Sequence, residues 1–230
     1  MLEKLYIADR FISAIFHEWD TMTFSILTVC TGNICRSPMA EQLLRNRLQR
    51  IPGLVVASAG TGALVGFGMP QQAAALSRNY GARDTGAHRA RQLQPDMALR
   101  ADLVLALASE HKRRILDEAP AAMRRTFTLR ELAHIVKTIT EEDLREGEAP
   151  SRGLALFGIQ SPGRYEDSAA PTKQFGQESI RDALRSAIEA AHLVRGAATA
   201  DVGQDEMDVV DPFRKSEEVY VESGRQLVPA

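Results

Sequence analysis

From Phe24 onward the chain alternates short apolar runs with stretches of helical periodicity, and no other feature restricts its fold as much. Residues 25–29, 54–57 and 103–106 are strand-sized apolar runs. Between the first two, 39–50 carries Leu43, Leu44 and Leu48 on one helical face. Residues 70–80 form a second helical pattern, stopped by Gly81 at the C′ position. Ser109 is placed to cap a helix running to about Glu118. Thr128-Leu129-Arg130-Glu131 has capping-box spacing and predicts a helix to about Thr138. Strands that alternate with helices bury both their faces as a parallel sheet, so the predicted class is α/β.

Two regions depart from that rhythm. Leu5, Ile12, Ile15, Phe16 and Trp19 share one helical face, which predicts a helical N-terminal extension over 1–20. It reads either as an extra packed helix, or a start placed upstream of the true one, or as a docking helix for a partner. Residues 140–176 contain Pro150, Pro162 and Pro171 and no sustained period, which predicts a long, mobile loop. A helix follows over 177–195, with Ile180, Leu184, Ile188 and Leu193 at near-helical spacing, and a short last helix opens at Ser216.

Composition narrows the function. With 28 Lys and Arg against 30 Asp and Glu, the formal net charge is −2, which gives no electrostatic warrant for nucleic-acid binding. No apolar run reaches the 18 or so residues of a membrane span, and no secretory signal is visible, so a soluble cytoplasmic protein is expected. Two cysteines cannot build a disulfide framework. His17, His88, His111, His134 and His192 are scattered, so no metal site is expected.

The informative segment is Cys30-Thr31-Gly32-Asn33-Ile34-Cys35-Arg36-Ser37-Pro38, which leaves the first strand and opens the first helix. Ligands of open α/β sheets bind beyond the carboxyl ends of the strands. Loop amides and a helix N-terminus there form an anion cradle. Gly32 lets the backbone approach the ligand closely, and Asn33 tolerates the left-handed dihedrals of a tight loop. Ser37 is positioned to cap the helix and Pro38 to occupy its first turn. Cys30 sits where amides and the helix dipole favour a thiolate, the nucleophilic form. Arg36 presents a planar fork matched to two phosphate oxygens. Taken alone, Cys30 could equally be a buried thiol and His88 a satisfied structural histidine. Together, thiol, amides and guanidinium point to nucleophilic attack on phosphorus.

Val29-Cys-Thr-Gly-Asn-Ile-Cys-Arg-Ser-Pro-Met-Ala-Glu41 resembles the signature of the low-molecular-weight protein tyrosine phosphatases. Ser58-Ala-Gly-Thr61, His88-Arg-Ala-Arg-Gln-Leu93 and Asp211-Pro212 continue the resemblance in the same order. It covers 24 to about 139 and then 208–230. It implies a four-stranded parallel sheet with helices on both faces and a phosphate-binding loop between strand 1 and helix 1. A phosphatase domain over 24–230 would then carry a long insertion at about 140–200. It also implies hydrolysis of phosphotyrosine through a cysteinyl-phosphate, with no cofactor or metal. By resemblance Cys30 is the nucleophile, Arg36 holds the phosphoryl oxygens and Asp211 is the general acid and then the base. Thr31, Gly32, Asn33, Ile34 and Cys35 form the loop around the substrate, with Phe213 beside its ring and Ser37, Ser58 and His88 in support. Cys35 resembles the family's second cysteine, which traps an oxidised nucleophile as a reversible disulfide.

Besides the long insertion before Asp211-Pro212, two departures qualify the resemblance. Phe213 stands where the family usually has Tyr. Phe67 is expected either on the opposite wall or in the core. The last helix is short, so 1–20 or 177–195 is expected to cover part of the sheet. Phosphotyrosine proteins, among them a tyrosine autokinase, are the partners implied. Arsenate reduction with an external thiol is the alternative, since the same loop binds arsenate; Asp211-Pro212 favours hydrolysis.

Overall fold

The computed structural model describes residues 23–138 and 177–228. The helix expected over 1–20 and the loop expected over 140–176 lie outside the described residues. Strands β1 (Phe24–Cys30), β2 (Leu54–Gly60), β3 (Leu103–Ala106) and β4 (Thr126–Thr128) form one all-parallel sheet in the order β2-β1-β3-β4. The helices in chain order are α1 (Arg36–Leu48), α2 (Gln71–Asn79), α3 (Pro95–Arg100), α4 (Ser109–Glu118) and α5 (Leu129–Thr138). They continue with α6 (Gln177–Ala198), α7 (Gln204–Met207) and α8 (Glu217–Leu227). A 3-10 turn, Pro120–Arg125, leads into β4. Among the described residues no helix is long and apolar enough to cross a membrane.

Alternate residues of β1 enter different cores, as side chains on a pleated strand must. Phe24, Ile26 and Cys30 pack with Leu43, Leu105, Phe127, Ile135 and Ala191. Leu27 and Val29 pack with Ala98, Val104, Ala106, Ile115 and Ala122. Both faces are therefore covered by helices, which is why the strands read as continuous apolar runs. The chain leaves β1 for β2 on one side and returns to β3 on the other. The carboxyl end of β1 is thus the switch point where a ligand cleft forms.

Several local signals hold. Gly81 takes φ 100°, and its N–H returns to the Arg78 carbonyl at 2.9 Å. The capping box is reciprocal: Thr128 N–H donates to Glu131 Oε2 at 2.9 Å and Glu131 N–H to Thr128 Oγ1 at 3.1 Å. The Glu131 carboxylate is buried, and Lys112 Nζ at 2.8 Å and Arg195 Nε at 3.2 Å balance its charge.

Two caps differ from expectation. Helix α1 starts at Arg36, with Cys35 in the cap position and no side-chain cap. Ser37 lies inside the first turn, where its hydroxyl turns to the loop instead. Helix α4 has Ala108 at its cap position, and Ser109 is its first residue. There the Asp208 carboxylate caps from outside, accepting Ser109 N–H and Oγ–H, both at 2.7 Å.

Helix α6 supplies the cover for the sheet edge. Its Arg195 lies over the Phe127 ring at 4.0 Å and donates to the Thr126 carbonyl at 2.7 Å. Its Arg185 holds Asp102 at the start of β3, with Nε–Oδ1 at 2.8 Å.

Candidate active site

The loop after β1 is shaped from outside, through its carbonyls. Thr61 N–H donates to Cys30 O, Gly62 N–H to Thr31 O and Leu64 N–H to Gly32 O, at 3.0, 3.0 and 3.1 Å. His88 Nε2 meets Asn33 O at 2.7 Å. In a trans peptide the next N–H points opposite its carbonyl. The amides of residues 31–34 are thereby turned away from these supports, toward the cleft. The Arg36 and Ser37 N–H groups at the start of α1 add the orphan donors of a helix N-terminus.

Asn33 is the keystone. It is fully buried at φ 52°, a left-handed dihedral that Asn tolerates. Its Nδ2 donates to Ser37 Oγ at 2.9 Å and Ser58 Oγ at 2.8 Å, while its Oδ1 accepts Arg91 N–H at 2.9 Å. The Ser58 hydroxyl in turn donates to Glu41 Oε2 at 2.6 Å. Because Asn33 donates to Ser37 Oγ, the Ser37 hydrogen is free for Cys30 Sγ at 3.0 Å or Ala59 O at 3.3 Å. Thr28 Oγ1 fixes the far end by donating to Ser37 O at 2.9 Å.

A cleft of about 200 Å³ opens over this loop, lined by Cys30, Thr31, Gly32, Ile34, Cys35, Arg36, Gly62, Leu64, Asp211 and Phe213. Arg36 is buried; its Nη1 donates to Val209 O at 3.1 Å and its Nη2 pairs with Asp211 Oδ2 at 3.1 Å. Val209 N–H reaches Leu107 O at 2.9 Å, so the 208–211 segment runs beside the end of β3. Phe213 N–H closes an Asx turn on Asp211 Oδ1 at 3.2 Å. Asp211, more than half exposed, thus stands at the mouth.

Cys30, Thr31, Gly32, Ile34, Cys35, Arg36, Asp211 and Phe213 line the cleft, with Asn33, Ser37, Ser58 and His88 behind it. Phe67 does not join them. It is 66% exposed, and Leu64 forms the wall expected of it. The thiol of Cys35 is pushed up to about 12, mainly by burial and then by neighbouring Cys30. It stays protonated at neutral pH. Without a local signal in the sequence are Glu41, Asp208 and His111, which contact Ser58, Ser109 and Thr31. A larger groove of about 560 Å³ over Ser25, Val55, Arg100 and Asp102 contains no cysteine, so the chemistry belongs to the smaller cleft.

A thiol, a guanidinium and a carboxylate sharing one small cleft form an arrangement suited to phosphoryl transfer. Residues 25–146 match the model of the low molecular weight phosphotyrosine protein phosphatase family, and the chain belongs to that family. The low molecular weight protein-tyrosine-phosphatase Etp of Escherichia coli K12 is 46% identical over 103 residues, 45% of this chain and 67% of that one. A protein-arginine-phosphatase of Geobacillus stearothermophilus is 42% identical over 110 residues, 48% of this chain and 72% of that one. The solved structure of Vibrio vulnificus Wzb in complex with benzylphosphonate shares the fold, with a TM-score of 0.52 and 21% identity over 89% of this chain and 92% of its own. The chain is accordingly a phosphatase, and the family favours that reading over arsenate reduction.

Gly60 allows the loop its shape. A Cβ there would stand 2.4 Å from Thr31 O and 3.0 Å from both Cβ and N of Asn33, which are not flexible ends. Gly60→Ala is expected to displace the loop and lower kcat/KM about 100-fold. It should also cost about 1–3 kcal/mol of stability from overpacking. Steady-state kinetics and thermal melts of the variant check both.

Proposed function

We propose that the protein hydrolyses phosphotyrosine in proteins, with Cys30 as nucleophile, Arg36 as the clamp and Asp211 as the acid. The observation that carries this reading is the convergence of those three side chains in one small cleft, with Arg36 and Asp211 3.1 Å apart. The Cys30 thiolate attacks phosphorus, and the bond from phosphorus to the phenolic oxygen breaks. Asp211 gives its proton to the departing oxygen. Its carboxylate then takes a proton from the attacking water, the P–S bond breaks, and inorganic phosphate leaves with the thiolate restored. The inward amides and Arg36 carry the charge of the equatorial oxygens throughout.

Ile34, Leu64 and Phe213 give the cleft apolar walls that suit an aromatic ring. A phosphoarginine substrate is the second reading, favoured by the likeness to a protein-arginine-phosphatase. A guanidinium leaving group would find few acceptors on those walls. Tyrosine autokinases are the substrates that the resemblance to bacterial phosphatases suggests. Peptides carrying phosphotyrosine or phosphoarginine, assayed in parallel with arsenate-dependent thiol oxidation, test the reading. The phosphotyrosine peptide should turn over faster by at least tenfold, and preference for phosphoarginine would reassign the substrate.

Cys35 lends itself to a redox test. Cys35→Ser is expected to keep its initial rate within about twofold but to recover poorly with thiols after peroxide, because no partner remains to trap the oxidised Cys30. Equal recovery in both proteins would remove that role.

A further inference from the structure

The two halves of the site come from distant parts of the chain, and both touch the first turn of α4. On one side Thr31 Oγ1 lies 2.9 Å from His111 Nε2. On the other, Asp208 Oδ1 accepts both Ser109 N–H and Ser109 Oγ–H at 2.7 Å, three residues before Asp211. We propose that the first turn of α4 is the brace that sets the phosphate loop against the acid segment, with His111 and Asp208 as positioning residues. This rests on the phosphatase reading above and adds residues that neither touch substrate nor belong to the cleft wall.

His111 is 2% exposed in a helix whose other face is solvent. Burial, and then the nearby Arg36, push its pKa down to about 3, so the imidazole is neutral. Its 3.3 Å approach to Glu110 Oε1 is therefore no ion pair. Nδ1 finds no partner among the described residues. A buried unpaired donor is rarer than an unpaired acceptor, which assigns the proton to Nε2. Nε2–H then donates to Thr31 Oγ1, the side chain next to the nucleophile. Thr31 O is already held by Gly62, so the imidazole fixes the remaining freedom of that residue.

Asp208 acts on the other half. A carboxylate on the first amide of a helix is a charge-assisted contact at the positive end of its dipole. Arg130 Nη1 adds a bond to Asp208 O at 3.0 Å, and Val209 follows directly with its bonds to Leu107 and Arg36. The anchor therefore sets where Asp211 stands over Cys30.

The two residues predict opposite kinetic signatures, which a merely structural role would not give. His111→Leu should raise the inhibition constant for inorganic phosphate about tenfold and lower kcat/KM by a similar factor for every aryl phosphate. His111→Gln should restore most of this, since its amide can reach Thr31 Oγ1. Asp208→Ala should leave phosphate inhibition within twofold but lower kcat about tenfold for phenols of ordinary acidity and far less for acidic ones. Asp208→Asn, which can still accept from Ser109, should restore most of the loss. Should His111→Leu fail to fold, Thr31→Val breaks the same contact from the loop side and must reproduce the phosphate effect. Should Asp208→Ala fail, Ser109→Ala removes one of its donors and must shift the leaving-group dependence. Unchanged phosphate inhibition in the His111 and Thr31 variants, or a uniform loss in the Asp208 and Ser109 variants, overturns the brace. A wild-type protein inert toward every aryl phosphate overturns the phosphatase reading instead.

Discussion

Cys30→Ser is expected to abolish turnover, with a loss of about 10⁴-fold or more on any aryl phosphate. The substitution exchanges one buried atom, Cys30 Sγ, whose side-chain contact is Ser37 Oγ at 3.0 Å. A hydroxyl in that place keeps the contact but lacks the polarisable sulfur nucleophile. The rest of the cradle does not depend on sulfur. The loop carbonyls are held by residues 61–64 and His88, and Arg36 by Val209 and Asp211. Phosphate and vanadate should therefore bind the variant within a few-fold of wild type, as read by calorimetry. Catalysis lost with binding kept is the signature of covalent chemistry at this atom. Activity within 100-fold of wild type would mean that water attacks phosphorus directly.

What the sequence made legible follows from how local each cause is. Gly81 behind α2 and the Thr128/Glu131 box are set by neighbours within four residues, and the left-handed dihedral of Asn33 suits its residue type, so all three are readable. Strand β4 was not visible as a run, because it is only Thr126-Phe127-Thr128. Its place in the sheet comes from Phe127 in the core beneath Arg195 of α6, 68 residues on. Helix α3 was passed over, although Pro95 at its start and the Asp96–Arg100 pair at i,i+4 are recognisable signals. At the site, Cys30 to Ser37 were readable as one contiguous loop. Asp211 needed the family resemblance, since a lone Asp-Pro among acids carries little information. His111 and Asp208 had no local signature at all. Their meaning exists only because β3 delivers the first turn of α4 to the side of Thr31 and the 208–211 segment returns across it. Ser109 and Ser37 show the converse error, in which a capping residue type at a helix start is used for a tertiary contact.

Asp211→Asn is expected to cost on the order of 10²–10⁴ in rate on phosphotyrosine, the range for loss of a general acid. Asp201, Asp205, Glu206 and Asp208 lie within ten residues and compete for the role in the sequence. Their positions separate them: Asp201, Asp205 and Glu206 are exposed and do not line the cleft, and Asp208 is spent on Ser109. Only Asp211 borders the cleft, 3.1 Å from the guanidinium that would hold the phosphoryl oxygens. An amide there keeps the size and one of the two acceptors, for either Phe213 N–H or Arg36, and removes the proton. The penalty should shrink toward unity for aryl phosphates whose phenols are acidic, because those leave unprotonated. Removing a negative charge beside Arg36 should also leave phosphate binding unchanged or tighter, so the loss falls on kcat. A loss equal for every leaving group, or one seen mainly as weaker phosphate binding, would strip Asp211 of the role and leave Arg36 the partner it merely neutralises.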